Sequence, residues 1–176
     1  SGNTEVLERM NRTYSREWYL DRVKAIREII GEECGISSDM ITGFCLETEE
    51  EHKDTLSLME IVKYHFSYMF FYSERPGTLA EKKFDDDVDP ETKKRRLNEI
   101  IALQGKHSAL RNKNTLGKTY KVLIEGVSKR SDNQLKGRTS ANTMVVFDKL
   151  NYKKGDYVNV KIKDCTSATL IGEIVE

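Results

Sequence analysis

The stretch Asn114-Thr-Leu-Gly-Lys-Thr-Tyr-Lys-Val-Leu-Ile124 separates two hydrophobic patterns, and this change of pattern decides the fold. Before it, apolar residues recur at helical spacing in long segments that alternate with short apolar runs. Within it the spacing shortens to two, and the same period returns in Asp156–Ile162. A period of two is typical of β-strands that bury one face. We therefore divide the chain into domains of residues 1–114 and 115–176.

The second domain is predicted to be all-β. Strand-like runs also occur at Thr143–Phe147 and Thr169–Ile174, and the strand-like runs of this domain are punctuated by Gly126, Gly137, Gly155 and Gly172. About five short strands in about 60 residues are typical of a small antiparallel barrel of the OB-like kind.

The first domain is predicted to be α/β. Its predicted elements are a helix from a Ser15 cap to Ile30, a buried strand over Gly35–Thr42, a helix from the Thr48/Glu51 capping box to about Tyr64, a strand over Phe66–Tyr72, and a helix from Asp89-Pro90 to about Asn112. This alternation implies a parallel sheet. Two strands are too few for such a sheet, so either another chain completes it or further strands lie upstream.

Composition excludes several classes of protein. Of the 176 residues, 38% are hydrophobic and 33% are charged, which is globular. No apolar run approaches the ~18 residues of a membrane span, and no secretory signal is visible. The chain lacks a starting Met, which predicts a fragment or a processed chain. Three widely separated cysteines argue against a disulfide framework and for a reducing cytoplasm.

The net charge of zero conceals an asymmetry. From Leu116 onward there are 11 Lys and Arg against 7 Asp and Glu, and the preceding residues carry 18 against 22. A basic C-terminal module beside an acidic body favours a polyanionic partner for that module.

Few residues of the first domain point to chemistry. Neither the cysteines nor the histidines have metal-ligand spacing, so no metal site is predicted, and Cys45 is interpreted as a small buried residue at a strand end. Gly43 and Glu47 follow the first strand, at the edge where βα folds bind ligands. Arg75 follows the second strand and could hold an anion or cap a turn. The run Lys93-Lys94-Arg95-Arg96 is interpreted as a solvated helix face.

In the second domain, a basic and amide-rich segment is predicted to contact nucleic acid. Cationic side chains supply phosphate contacts, and amides can read base edges. No exposed aromatic stacking pair is predicted, because Tyr120, Phe147 and Tyr152 are equally suited to a core. The segment includes Lys129, Arg130, Gln134, Arg138 and Asn142.

Four ordered motifs and the basic domain resemble one family, the MiaB-type tRNA methylthiotransferases of the radical-SAM superfamily. The motifs are Met10-Asn11-Arg12-x-Tyr14, Asp39-Met-Ile-Thr-Gly43-Phe44 leading to Glu47-Thr48-Glu49, Tyr72-Ser-Glu-Arg75-Pro-Gly-Thr78, and Arg96-Leu97-x-x-Ile100-x-x-Leu103-Gln104. The C-terminal residues resemble the TRAM domain that ends those proteins. The resemblance covers essentially the whole chain and implies a partial radical-SAM (β/α) barrel followed by a five-stranded TRAM barrel.

The resemblance also implies a reaction, the addition of a methylthio group to carbon 2 of isopentenyl-adenosine beside the tRNA anticodon. Such enzymes use S-adenosylmethionine and two 4Fe-4S clusters, whose cysteines lie upstream of the segment resembled here. This chain is then expected to contain no catalytic residue, to be inactive alone, and to need the N-terminal part of the same protein. The relatives that modify ribosomal protein S12 or threonylcarbamoyl-adenosine, and a non-enzymatic RNA-binding adaptor, are the alternatives.

By position, the resemblance implies that Ile41 and Gly43 lie against the adenine of S-adenosylmethionine. Arg12 and Arg75 are candidates for contacts with its carboxylate or with tRNA phosphate, and the five basic and amide residues named above are candidates for the anticodon stem-loop. Where the family commonly has Gly-Phe-Pro-Gly-Glu-Thr, this chain places Leu46 at the second Gly, so no positive φ is expected there. The first domain is further expected to expose an apolar edge and to self-associate.

Overall fold

The computed structural model describes residues 1–175, which form two compact units, Ser1–Gln104 and a second from Gly105 onward. The first unit contains α1 (Thr4–Arg9), α2 (Arg16–Ile30), β1 (Ser37–Thr42), α3 (Glu49–Val62), β2 (Phe66–Phe71), α4 (Leu79–Lys83) and most of α5 (Pro90–Lys113). The second contains β3 (Thr119–Val127), β4 (Gln134–Arg138), β5 (Met144–Asp148), β6 (Tyr157–Cys165) and β7 (Thr169–Val175). The predicted division after residue 114 lies just beyond α5.

The helix ends follow the predicted signals. Ser15 caps α2 by accepting from the Trp18 N–H, and Gly31 ends the helix with φ 109°. In α3 the predicted capping box is confirmed, since Thr48 accepts from the Glu51 N–H and Glu51 accepts from the Thr48 N–H. The short helices α1 and α4 were not predicted, because neither is long enough to show an apolar period.

The two strands of the first unit pair in parallel, from Ser37 opposite Phe66 to Thr42 opposite Phe71. One face, with Met40 and Met69, packs on the helices. Ile41 lies on the other face, together with Tyr68 and Phe70, which are 62% and 55% exposed. The expected apolar exposure is therefore confirmed, whereas the prediction of a buried strand is correct for one face only, because helices cover only one side of this sheet.

The core of the first unit lies between that covered face and the helices. Its buried side chains are Val23, Met40, Leu58, Met59, Val62, Tyr64 and Ile100. In α5 the buried positions are 93, 96, 100, 104, 107 and 112, and the first five of these form a helical stripe. Ile101 and Leu110 of this helix are half exposed because they fall off that stripe.

The second unit is a closed five-stranded barrel with strand order β3-β4-β5-β7-β6. The five-stranded barrel is confirmed, but it is not wholly antiparallel, because β5 and β7 pair in parallel. The inward residues of all five strands form one core, including Val122, Phe147 and Val160. Gly137 is needed where β4 crosses β3, since a Cβ there would lie 2.4 Å from the Leu123 carbonyl oxygen.

No helix within residues 1–175 combines the length and the apolar character that a membrane crossing requires.

Candidate functional site

The turn that follows β1 is held by the carboxylate of Glu47. Its Oε1 accepts from the Gly43 N–H at 2.8 Å and from the Thr42 hydroxyl at 3.2 Å, and the Glu47 N–H donates to the Phe44 carbonyl at 2.9 Å. Carboxylate and backbone thus close one loop of five residues. This loop fixes the path of the backbone at the carboxyl end of β1.

Leu46 in this turn has φ 63°, so the expectation that its backbone avoids the left-handed region is wrong. A left-handed conformation costs a non-glycine residue about 1–2 kcal/mol. The turn compensates that cost, because the Leu46 N–H donates to the Asp87 carboxylate at 2.7 Å and its side chain is half exposed, without a steric demand. Position 46 therefore has a left-handed backbone although it carries a side chain.

Arg96 of α5 lies beneath the turn and pairs with Glu47. The guanidinium Nη1 donates to the Glu47 carbonyl at 2.9 Å and to its Oε1 at 3.0 Å, and the two side chains are 5% and 0% exposed. The expectation of a solvated Lys93–Arg96 face is wrong for Lys93 and Arg96, and right only for Lys94 and Arg95. The spacing of positions 93, 96 and 100 was the available signal, because it places both cations on the stripe of Ile100.

Two further groups extend this buried polar cluster. Nδ1 of His52 lies 3.1 Å from the Thr42 hydroxyl, and its Nε2 lies 2.8 Å from Glu99 Oε2. The Glu49 carboxylate accepts hydrogen bonds from both Arg95 and Arg96. These bonds, chiefly the one from Arg95, lower the pKa of Glu49 to about 2. The cluster joins the end of β1 to α3 and to α5.

Gly43 is required by packing as well as by its φ of 66°. A Cβ at this position would lie 2.6 Å from Cγ of Lys93, whose chain crosses the turn. The Lys93 ammonium pairs with Asp86 and lies 5.3 Å from the centre of the Tyr72 ring. Gly43 therefore acts through the backbone path that it permits.

Of the other predicted cofactor residues, Ile41 belongs to β1, and Arg75 follows β2, whose carboxyl end lies beside that of β1. The side chain of Ile41 lies on the face of the sheet that the helices leave uncovered. Arg12 and Arg75 are exposed, and among residues 1–175 neither guanidinium has a hydrogen-bonding or ionic partner. The structure shows no contact that joins Arg12 to Arg75.

No cluster of three or more potential metal-ligating side chains occurs in the part of the chain that the structure describes. The three cysteines are unpaired and separate. Cys45 is fully buried against Phe44 and Val6, as interpreted from sequence, and burial raises the pKa of its thiol, which keeps it protonated.

The five predicted RNA-contacting residues fall into two groups at opposite ends of β4. Lys129 and Arg130 are exposed in the β3–β4 loop, beside Gln134 at the start of β4. Arg138 ends the strand and donates to the carbonyl of Asn142, which has φ 62° in the following turn. Since strand residues advance about 3.3 Å each, some 13 Å separates the groups.

The two groups differ in how free their charge is. Arg138 pairs with Glu125 at 3.2 Å, which lowers its value as a phosphate contact. Lys129 and Arg130 have no carboxylate partner among residues 1–175 and extend into solvent. The β3–β4 loop is therefore the more cationic of the two ends.

The aromatic side chains of the barrel were incompletely predicted. Phe147 is in the core and Tyr152 is partly exposed in the segment before β6. The prominent exposed ring is Tyr157, at 60% exposure, which was not singled out because it stands in an alternating strand whose faces sequence cannot orient.

Comparison with known proteins identifies the barrel and relates the whole chain to one group of enzymes. Residues 113–175 match the TRAM domain family. The chain is 61% identical over 174 residues, or 99% of its length, to the tRNA-2-methylthio-N(6)-dimethylallyladenosine synthase of Amoebophilus asiaticus (strain 5a2). Proteins of the same name from Christiangramia forsetii and Bacteroides fragilis (strain ATCC 25285) are 57% and 56% identical over 98% and 99% of the chain. The chain covers 36%, 36% and 38% of these three relatives, so it spans little more than a third of their length.

Proposed function

We propose that this chain, which is homologous over almost its whole length to one segment of the tRNA-2-methylthio-N(6)-dimethylallyladenosine synthases and ends in a TRAM domain, is the C-terminal part of a tRNA methylthiotransferase. The complete enzyme adds a methylthio group to carbon 2 of isopentenyl-adenosine next to the anticodon, in the cytoplasm. The observation that carries this proposal is the 61% identity over 99% of the chain. The names of these relatives favour the adenosine substrate over ribosomal protein S12.

The first unit is proposed to close a partial radical-SAM barrel. Its parallel pair β1–β2 has helices on one face and apolar side chains exposed on the other, which is how the last strands of a (β/α) barrel are arranged when considered alone. The relatives are nearly three times as long, so they contain enough additional chain for the remaining strands. Those strands would cover Tyr68 and Phe70.

The carboxyl end of β1 is proposed to bind S-adenosylmethionine. Ile41 supplies an exposed apolar surface for an adenine, and the unpaired guanidiniums of Arg12 and Arg75 suit the methionyl carboxylate. When bound and reductively cleaved, S-adenosylmethionine supplies a carbon radical. The Gly43 N–H already donates to Glu47, so this N–H is not proposed as a donor to the ligand.

The cluster of Glu47, Arg96 and His52 is proposed to position this edge. It does not touch a ligand, but it fixes the turn that carries Gly43 and follows Ile41. In the complete enzyme, Ile41→Ala should weaken S-adenosylmethionine binding several-fold in equilibrium dialysis, because it removes apolar contact area. Leu46→Ala, half exposed in the same turn, is the matched control, and equal losses in both variants would contradict the assignment of Ile41.

Among residues 1–175, no group of side chains is arranged to bind a 4Fe-4S cluster. Cys34, Cys45 and Cys165 are separate, and the thiol of Cys45 is buried and protonated. We assign cluster binding to the remainder of the protein, and no step of the reaction to this chain's cysteines.

The TRAM barrel is proposed to bind the anticodon stem-loop of tRNA, with Lys129 and Arg130 as the principal phosphate contacts. Binding of the chain to a labelled anticodon stem-loop across a salt series tests this. Each phosphate contact contributes about 0.9 to the slope of log affinity against log salt on a duplex, and about 0.7 on a single strand. Lys129→Gln and Arg130→Gln should each reduce the slope by about that amount.

Arg138→Gln is expected to change the slope less, because Glu125 already neutralises the guanidinium. Lys94→Gln, on an exposed helix face of the first unit, is the control and should leave the slope unchanged. Absence of binding at low salt would contradict the proposed role of the barrel.

A further inference from the structure

A second face of the barrel combines an exposed aromatic ring with unpaired ammonium groups. On β3 and β6 the inward positions hold core residues, and alternation places their neighbours outside. In the register of these two strands, Tyr157 lies opposite Leu123, Asn159 opposite Lys121, and Lys161 opposite Thr119. We name Thr119, Lys121, Tyr157, Asn159 and Lys161 the β3–β6 face.

The ring of Tyr157 is the centre of this face. It remains 60% exposed although Nζ of Lys121 lies 4.8 Å from its centre. An exposed tyrosine ring offers a flat apolar surface with a polar hydroxyl at its tip, which suits contact with another flat group. Because the ammonium occupies one side only, a flat group can still stack on the free part of the ring.

The charge of this face favours an anionic occupant. Lys121 and Lys161 have no carboxylate partner within residues 1–175, and the neighbouring Glu173 is engaged by Lys163 at 2.7 Å. Asn159 offers an amide between them. Positions two apart on a strand are about 7 Å apart, so Tyr157, Asn159 and Lys161 present a ring, an amide and a cation in a row along β6.

This face is distinct from the loop that carries Lys129 and Arg130. In the barrel order, β4 and β6 lie on either side of β3. The outward side of β4 carries Lys136 and Arg138, and its charge is partly cancelled by Glu125. The basic loop follows the carboxyl end of β3, whereas the β3–β6 face uses the first half of that strand, Thr119–Leu123, so the two lie towards different ends of β3.

We propose that the β3–β6 face binds unpaired nucleotides of RNA, with a base stacked on Tyr157 and phosphates paired with Lys121 and Lys161. A row of aromatic, amide and cationic groups is the arrangement by which barrels hold single strands, since every base has a face that stacks and every linkage has a charge. This inference rests on the proposed RNA binding of the TRAM barrel and adds the surface and the kind of nucleotide to it.

The test measures binding of the whole chain to a fluorescein-labelled oligouridylate of ~12 nucleotides, and to a blunt RNA duplex without a loop, by fluorescence anisotropy at low salt. Tyr157→Ala should weaken oligouridylate binding roughly tenfold and leave the duplex unaffected, because loss of one stacked base has about that effect. Tyr157→Phe keeps the ring and should keep the affinity. Lys121→Gln should lower the salt slope on the oligouridylate by about 0.7.

Tyr152→Ala is the matched control, since Tyr152 is also an exposed tyrosine of this unit but lies outside the face. Unchanged circular dichroism would exclude unfolding of the variants. Wild-type affinity of Tyr157→Ala, or equal losses for Tyr157→Ala and Tyr152→Ala, would overturn this inference and leave the proposed function intact. If the unaltered chain binds neither RNA, the proposed function fails and the β3–β6 face fails with it.

Discussion

The two units of this chain bury their polar backbone and their apolar side chains to different degrees. In the second unit each strand pairs on both sides within a closed barrel, and one core fills it. In the first, the sheet has two strands, one open face and an ionic cluster beneath its carboxyl end. A closed barrel completes itself, whereas an open parallel sheet depends on further structure to cover it.

The largest expected effect concerns the barrel core. Phe147→Ala removes a fully buried ring and should lower the free energy of unfolding of the second unit by about 3–5 kcal/mol. The single tryptophan, Trp18, lies on α2 and reports on the first unit alone. Loss of the β signal in circular dichroism, with an unchanged Trp18 fluorescence transition, would show that the units unfold independently. A coincident shift of both signals would show that the two units unfold together.

A comparable loss of the free energy of unfolding is expected in the first unit from Arg96→Met. It leaves the Glu47 carboxylate buried without its partner, which costs about 3–5 kcal/mol. The Trp18 transition should move. Arg95→Met, at an exposed position in the same helix, should change the free energy of unfolding by less than about 1 kcal/mol. The double variant Glu47→Gln/Arg96→Met should recover part of the loss, and strict additivity would contradict the pairing.

The open face is expected to control association more than stability. Tyr68→Lys combined with Phe70→Lys should abolish binding of a hydrophobic dye and self-association in sedimentation velocity, while the Trp18 transition changes little, because both rings are exposed. Tyr157→Ser, which removes an exposed ring from the other unit, is the control. If the unaltered chain sediments as a monomer and binds little dye, the open face does not drive self-association, and the proposed difference between the two units is wrong.

The smallest effect is a dependence on acid. Because Arg95 lowers the pKa of Glu49 from 4.5 to about 2, its ionised form stabilises the folded unit above about pH 4.5, and this contribution is lost as the pH falls towards 2. Glu49 is partly exposed, so solvent screening keeps the effect below about 1 kcal/mol. In Glu49→Gln, the midpoint of the Trp18 fluorescence transition should depend less on pH over that range. An unchanged pH profile would argue against the ion pair in solution.

Sequence determined the parts of this protein whose causes are local. The caps at Ser15 and Thr48, the change of period near Gly117 and the number of barrel strands all follow from residues that act on their near neighbours. The motifs around Gly43 and Arg75 were enough to indicate the enzyme family, since they depend on residue identity and order alone.

Tertiary structure alone decided which faces are covered. The burial of Lys93 and Arg96, the left-handed backbone of Leu46 and the exposure of Tyr157 all depend on partners distant in sequence, such as Glu47 and Asp87. A strand period shows that faces alternate but does not show which face meets the core, and a basic run does not show which carboxylate it will meet. Those outcomes are set by long-range packing and by the cost of leaving a buried charge unpaired.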